Sequence, residues 1–358
     1  MTPQSTTATL AGAKRERIAA FDFLRILAAF AVIWLHVCSY YWYKTFPSVD
    51  WDILNAYNAL VRWCVPIFVM ITGALFLNPQ GTCSIRRLYL RYITRIVIAF
   101  VFWSLVYEPF QVSPATTLRG LVKHIITGPM HLWYLKMLVG LYVVMPLLRA
   151  IVARSRGTIY FLLLALATAS LAPMLLTLLG HVDTGLQASI KHLFNSLEIK
   201  MALGFSGYLV LGHYLHTHPL SAKSRHIVYV LALMSLLCVI IGTHLYSHHI
   251  HHPKDYFYDY LNPFTLIESV AVFVFVQAHA KNASSRQRSI AANISRYTFG
   301  IYLVHLLIRN LLVQHFKLDT TGWGTLYFVP VLTIVIFSIS LLIIWLVGKI
   351  PWFKTHVI

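Results

Sequence analysis

Residues 20–42 read AFDFLRILAAFAVIWLHVCSYYW, an apolar and aromatic run interrupted by Asp22, Arg25 and His36. At about 1.5 Å per residue such a helix is long enough to cross a hydrocarbon layer about 30 Å thick. Runs of the same kind recur, and the spans read as roughly 20–42, 58–78, 92–110, 131–152, 158–178, 199–217, 227–246, 262–280, 296–315 and 327–349. Strands of a barrel would alternate over about ten residues, whereas these runs are continuous. The fold class expected is therefore all-α: a polytopic integral membrane protein of about ten transmembrane helices.

Composition agrees. Of 358 residues, 58% are hydrophobic and 11% charged, with a mean hydropathy of +0.69; soluble domains carry about 25% charged residues. The expected organisation is a cytoplasmic tail over 1–17, one transmembrane domain over 18–350 and a second cytoplasmic tail over 351–358. Residues 1–13 are small and polar, and Lys14, Arg15 and Arg17 precede a span too long for a signal peptide. The net charge of +18 would point to nucleic acid in a soluble protein, but these charges sort by side. Sorting Lys and Arg across the spans puts 17 on one side and six on the other, so both termini are expected in the cytoplasm.

Charged groups inside spans are costly and usually functional. Arg25 and His36 are three turns apart, so they share one face of the first helix at depths differing by roughly 16 Å, with Asp22 one turn earlier. The second span brings Arg62 near its outer end and Gly73, which reads as a close-packing position. Arg86, Arg87, Arg91 and Arg95 form a basic cluster able to anchor anionic lipid or hold a phosphorylated ligand. Glu198 and Lys200 read as interfacial. Glu268 lies within the eighth span, and Tyr302, His305 and Arg309 share a face of the ninth.

The outward loops 43–57 (Tyr43, Trp51, Tyr57) and 247–261 (Tyr256, Tyr258, Tyr260) carry aromatic residues suited to an interfacial belt or to stacking on sugar rings. The second loop also holds His248, His249, His251, His252 and Asp255. As a metal site it lacks a helical i, i+4 pair with a supporting acid, so no metal is expected there. Cys38, Cys64, Cys83 and Cys238 show no CxxC spacing, and neither a disulfide nor a zinc site is expected.

Several ordered blocks resemble the membrane acyltransferase-3 family. Asp22-Phe-Leu-Arg25 is followed after ten residues by His36. Val65-Pro66-Ile-Phe-Val-Met-Ile-Thr72-Gly73 is similar to the family's Val-Pro-x-Phe-(x)3-Ser-Gly, with threonine for serine. The arginine-rich turn before Phe102-Trp103-Ser104, then His131-Leu-Trp133-Tyr-Leu, Gly207-Tyr-Leu-Val-Leu-Gly212 and Ser295-Arg-Tyr-Thr-Phe-Gly300-Ile-Tyr302-Leu-Val-His305 complete the order. The family's Arg-x-x-Arg turn is not reproduced, since Arg87, Arg91 and Arg95 stand four apart. Trp51-Asp52-Ile-Leu-Asn55 leading into Arg62 looks most like the single-domain members that O-acetylate enterobacterial common antigen, which lack the SGNH esterase-like domain of longer relatives.

That resemblance implies a membrane O-acyltransferase of the bacterial inner membrane, using acetyl-CoA or another acyl-CoA as donor. The acceptor implied is a sugar hydroxyl of a surface polysaccharide or of its lipid-linked precursor. Acyl transfer needs a base for the hydroxyl and stabilisation of the oxyanion. His36 is expected as the base, or as an acyl carrier, with Arg25 holding the donor or polarising its carbonyl. Arg86, Arg87, Arg91 and Arg95 are expected on the coenzyme phosphates. Asp22, Arg62, Trp133, Glu268, Tyr302 and His305 are expected to position substrate or support the site. Two other classes fit the intramembrane charges: a transporter or flippase of lipid-linked saccharide, and a non-catalytic assembly partner.

Overall fold

The computed structural model describes residues 17–78, 84–111, 113–114, 117–180, 182–196, 204–319 and 324–357. Cys83, Glu198, Lys200 and residues 1–16 lie outside the described residues. Every regular element there is helical. The helices are α1 (Ala19–Trp42), α2 (Val49–Leu60), α3 (Cys64–Phe76), α4 (Ile85–Phe110), α5 (Leu118–Thr127), α6 (Met130–Val152), α7 (Ser155–Gly180) and α8 (Thr184–Ser196). They continue with α9 (Phe205–Thr217), α10 (Ala222–His249), α11 (Pro263–His279), α12 (Ser285–Ser295), α13 (Thr298–Phe316), α14 (Thr325–Val347) and α15 (Pro351–His356). The last shows that the expected C-terminal tail begins as a helix, with Phe353 against Phe102 of α4 at 5.6 Å.

Among the described residues nine helical segments are long and apolar enough to cross a membrane, so the chain is a polytopic membrane protein. The expected sixth span is the difference. Its first residues fall outside the described set, and α9 has 13 residues, about 20 Å of rise. It still links the two faces of the bundle: Phe205 lies beside Tyr260, and His216 beside Phe21 at 5.0 Å.

The first helix is the hub, packed against α2, α3, α11, α12, α13 and α14. Without glycine or proline, its 24 residues run unbroken. The second expected span is instead two helices. Ser48 Oγ accepts from the backbone N–H of Trp51 and caps α2, with Asp50 and Asp52 in its first turn, where carboxylates meet the positive helix end. Most of the expected loop 43–57 is thus helical. A turn at 61–63 separates α2 from α3, and Pro66 sits in the first turn of α3, where a backbone donor has no helical partner to lose.

The crossing of α3 and α9 is set by two glycines. A Cβ on Gly73 would stand 1.8 Å from the Leu209 carbonyl oxygen, and one on Gly212 would stand 2.2 Å from that of Met70. No side chain fits at either point, so the backbones touch, as small residues allow in membranes. Six-residue π-helical turns interrupt α4 at Leu88–Ile93 and α7 at Leu166–Leu171.

Candidate active site

Because α1 is continuous, Arg25 and His36 are held three turns apart on one rod. Arg25 lies at the mouth of a narrow cavity of about 210 Å³, lined also by Phe68, Thr72, Phe76, Tyr134, Tyr142, Phe299 and Tyr302. Asp22, buried at 1% exposure, anchors this corner. Its carboxylate accepts from Arg17 at 2.7 and 3.0 Å, from Ser295 Oγ at 2.6 Å, and from Arg25 Nη1 at 3.4 Å. Arg17 also donates to the Ala292 carbonyl at 2.6 Å. Asp22 therefore ties α1 to the end of α12 and only grazes Arg25, whose guanidinium stays turned to the cavity.

Tyr302, on the cavity wall, also borders a buried histidine cluster, its ring 6.0 Å from that of His305. His305 Nδ1–H donates to the Tyr302 carbonyl at 2.6 Å, leaving its Nε2 to accept. His36 Nδ1–H points at the Val32 carbonyl (2.8 Å) and at His305 Nε2 (3.3 Å). Both protons are then assigned to Nδ1 by the hydrogen-bond network, and the lone pair of His36 lies on Nε2. A third ring, His131, sits 5.6 Å from His305 and is 2% exposed, with no partner on Nε2 among the described residues. The Tyr302 hydroxyl donates to the His131 carbonyl at 2.5 Å. Arg309 Nη1 donates to the His36 carbonyl at 2.9 Å, and its guanidinium lies over Tyr40 at 4.7 Å. His305 and Arg309, four residues apart on α13, thus converge on His36 of α1, while the Tyr302 hydroxyl on the same helix turns to the His131 carbonyl.

Tyr107 of α4 is a further partner of this cluster. The Tyr107 hydroxyl donates to the Leu303 carbonyl at 2.9 Å and accepts from the Leu307 N–H at 3.0 Å. Those two groups would otherwise bond each other in the i, i+4 ladder of α13, so a side chain of α4 is inserted into that helix beside His305.

The basic cluster sits on the same side as Arg25. Arg95 stands 5.8 Å over the ring of Phe299, which lines the cavity. Arg86, Arg87 and Arg91 are exposed, and the π turn of α4 lies between Arg87 and Arg95. Arg149 Nε donates to the Phe76 carbonyl at 2.7 Å and is a further cation at this mouth.

A second polar region lies across the membrane. Arg62 bonds Asn58 Oδ1 at 2.8 Å and the Tyr258 carbonyl at 3.4 Å, with its guanidinium 4.1 Å over the Tyr258 ring. Trp133 stacks on Tyr260 at 5.7 Å with 27° between planes, and Tyr208 Oη donates to the Tyr260 carbonyl at 2.6 Å. Glu268 is 6% exposed. Glu268 Oε1, Thr265 Oγ1, Thr243 Oγ1 and Arg62 Nε are buried without partners among the described residues.

Residues 18–345 match the acyltransferase 3 family, described as an acyltransferase domain. The chain belongs to the acyltransferase 3 family. Neither a curated protein nor a solved structure matches it significantly. Family membership makes the chain a multi-pass membrane acyltransferase, with an acyl donor and an acceptor. The family blocks then occupy defined places: Arg25 at the cavity mouth, His36 and His305 in contact, Thr72 on the cavity wall, and Gly73 and Gly212 at the tightest helix crossing. Sequence reasoning passed over Tyr107 and Arg149, and treated His131 as part of a block without a role. A lone tyrosine in an aromatic span and an arginine in a last helical turn resemble ordinary interfacial residues. The only pointer to His131 was its position in an ordered block.

Proposed function

We propose that the protein is an O-acetyltransferase of the bacterial inner membrane that moves the acetyl group of acetyl-CoA to a sugar hydroxyl. The acceptor proposed is a surface polysaccharide or its lipid-linked precursor, enterobacterial common antigen being the first to try. In this reading residues 18–350 form the single acyltransferase domain, and the tails 1–17 and 351–358 face the cytoplasm. The Arg25 side is then cytoplasmic, in line with the excess of basic residues there.

The observation that carries the reading is that one wall residue, Tyr302, joins the cavity at Arg25 to a histidine pair whose Nδ1 protons are already engaged. A cavity of about 210 Å³ suits a slender arm such as pantetheine and leaves the nucleotide outside. Arg86, Arg87, Arg91 and Arg95 would take the phosphates there, joined by Arg149. His36 Nε2 removes the proton from the acceptor hydroxyl as its oxygen attacks the thioester carbonyl. The C–O bond forms, the C–S bond breaks, and the departing thiolate takes the proton from His36. Arg25 holds the donor at the mouth. Arg62, Trp133, Glu268 and Tyr258 would receive the sugar, since stacked aromatics and unpaired buried polar atoms match a ring with hydroxyls.

The test uses purified protein in nanodiscs with radiolabelled acetyl-CoA and a mixed surface-glycan extract, comparing wild type, His36→Ala and Arg25→Ala. Label on a glycan with wild type and not with His36→Ala supports the reading, and the labelled product identifies the acceptor. Transfer undiminished in His36→Ala rejects the base. Saccharide movement across vesicles with no dependence on any acyl-CoA replaces the enzyme by a transporter.

A further inference from the structure

At the end of the bundle opposite Arg25, α10 carries two histidines one turn apart, His244 and His248. Their rings lie 4.4 Å centroid to centroid. Asp52, in the first turn of α2, reaches across: His244 Nδ1 is 2.7 Å from Asp52 Oδ1. One nitrogen from each histidine and one carboxylate oxygen all lie within 4.8 Å of one another. The side chains of His244 and Asp52 are 40% and 45% exposed, and His248 is exposed, so an ion arriving from solution meets all three. The sequence reading set metal aside because His248, His249, His251 and His252 contain no helical i, i+4 pair with an acid. The pair lies one turn earlier, and the acid comes from a different helix.

We propose that Asp52, His244 and His248 bind a divalent transition-metal ion, of which zinc is the reference case, with water completing the coordination. The donor set is two imidazoles and one carboxylate on helices, the type that three-ligand zinc sites use. Ligands at about 2.0–2.1 Å around a tetrahedral ion stand about 3.3–3.4 Å apart. Binding therefore spreads the 2.7 Å contact and draws the widest pair together, by side-chain rotation alone. The base of the site is rigid. Trp51 packs on His248 at 5.8 Å and on Trp42 at 5.6 Å, Phe46 lies 5.1 Å from His248, and Asn55 Nδ2 donates to the Ile240 carbonyl at 2.9 Å. An ion here cross-links α2 to α10 and fixes the helix that ends beside Arg62. It stands apart from the histidine cluster at His36, so the inference does not depend on the acyl-transfer reading.

The experiment uses the full chain, free of any polyhistidine tag, in nanodiscs. It is stripped with chelator, dialysed against micromolar zinc and assayed for bound metal, with cobalt as a spectroscopic probe of geometry. The expected result is one zinc per chain and a tetrahedral cobalt spectrum. Binding weakens at least tenfold in His244→Ala, His248→Ala and Asp52→Asn, and is unchanged in the triple variant His249→Ala, His251→Ala, His252→Ala. A second reading guards against misfolding: wild-type melting temperature rises with zinc and that of His248→Ala does not, while the two agree without metal. No zinc at micromolar concentration overturns the proposal. So does retention by all three single variants, or loss confined to the loop triple variant.

Discussion

The two ends of the membrane path are built on opposite principles. At the Arg25 end both oxygens of Asp22 are engaged, by Arg17, Ser295 and Arg25, so the corner is complete as it stands. At the Arg62 end Glu268 Oε1, Thr265 Oγ1, Thr243 Oγ1 and Arg62 Nε are buried and unpartnered among the described residues. Each such group costs about 1–3 kcal/mol. A finished corner holds the fold and aims one guanidinium, whereas an unfinished one gains when a guest brings hydrogen-bond partners. The contrast teaches where to look for the acceptor.

The strongest way to break this comparison is at the junction between the ends. His36→Ala is expected to lower kcat by about 10²–10⁴, the range for a lost general base, with an unchanged gel-filtration profile and acyl-CoA binding retained. If acyl-CoA binding falls in step with kcat, His36 belongs to the donor end. Arg25→Ala is expected next, raising KM for acyl-CoA about 10–100-fold, the equivalent of losing about 1.5–3 kcal/mol of charge-assisted bonding. Steady-state kinetics with acceptor saturated measures it, and KM for acceptor should stay put. Glu268→Gln sharpens the other side. It is expected to raise KM for acceptor about tenfold, near 1.4 kcal/mol, while leaving KM for acyl-CoA alone. An equal shift in both constants would dissolve the distinction between the ends. The smallest effect expected is from Tyr107→Phe, which removes one inserted hydroxyl and costs about 1 kcal/mol of stability, read as a lowered melting temperature in detergent.

How far the sequence could be read depended on whether a feature was local. The first helix was legible because its 24 residues contain no glycine or proline, and its geometry then placed Arg25 and His36 on one face. The break at 61–63 had a local signal in Pro66, which offers no N–H to the Arg62 carbonyl four residues earlier, but what holds Arg62 there is tertiary: Asn58 Oδ1, the Tyr258 ring and the Tyr258 carbonyl. The pairing of His36 with His305 joins residues 269 apart, so helix periodicity could flag each ring and not the contact. Gly73 announced close packing in the sequence, but its partner, the Leu209 backbone, came only with the fold. The Asp52–His244–His248 group is not legible from the histidine loop because its acid comes from another helix, although the four-residue spacing is plain in Thr243-His244-Leu-Tyr-Ser-His248.

The insertion of Tyr107 into α13 has a mechanical meaning. In hydrocarbon a freed backbone carbonyl has no water to turn to, so the hydroxyl acts as a key in a slot, fixing both the depth and the rotation of α13 against α4. The same rod that carries this key carries Arg86–Arg95 at its far end. Any tilt of α4 is therefore felt at the slot, next to His305, rather than taken up by slippage between the two helices.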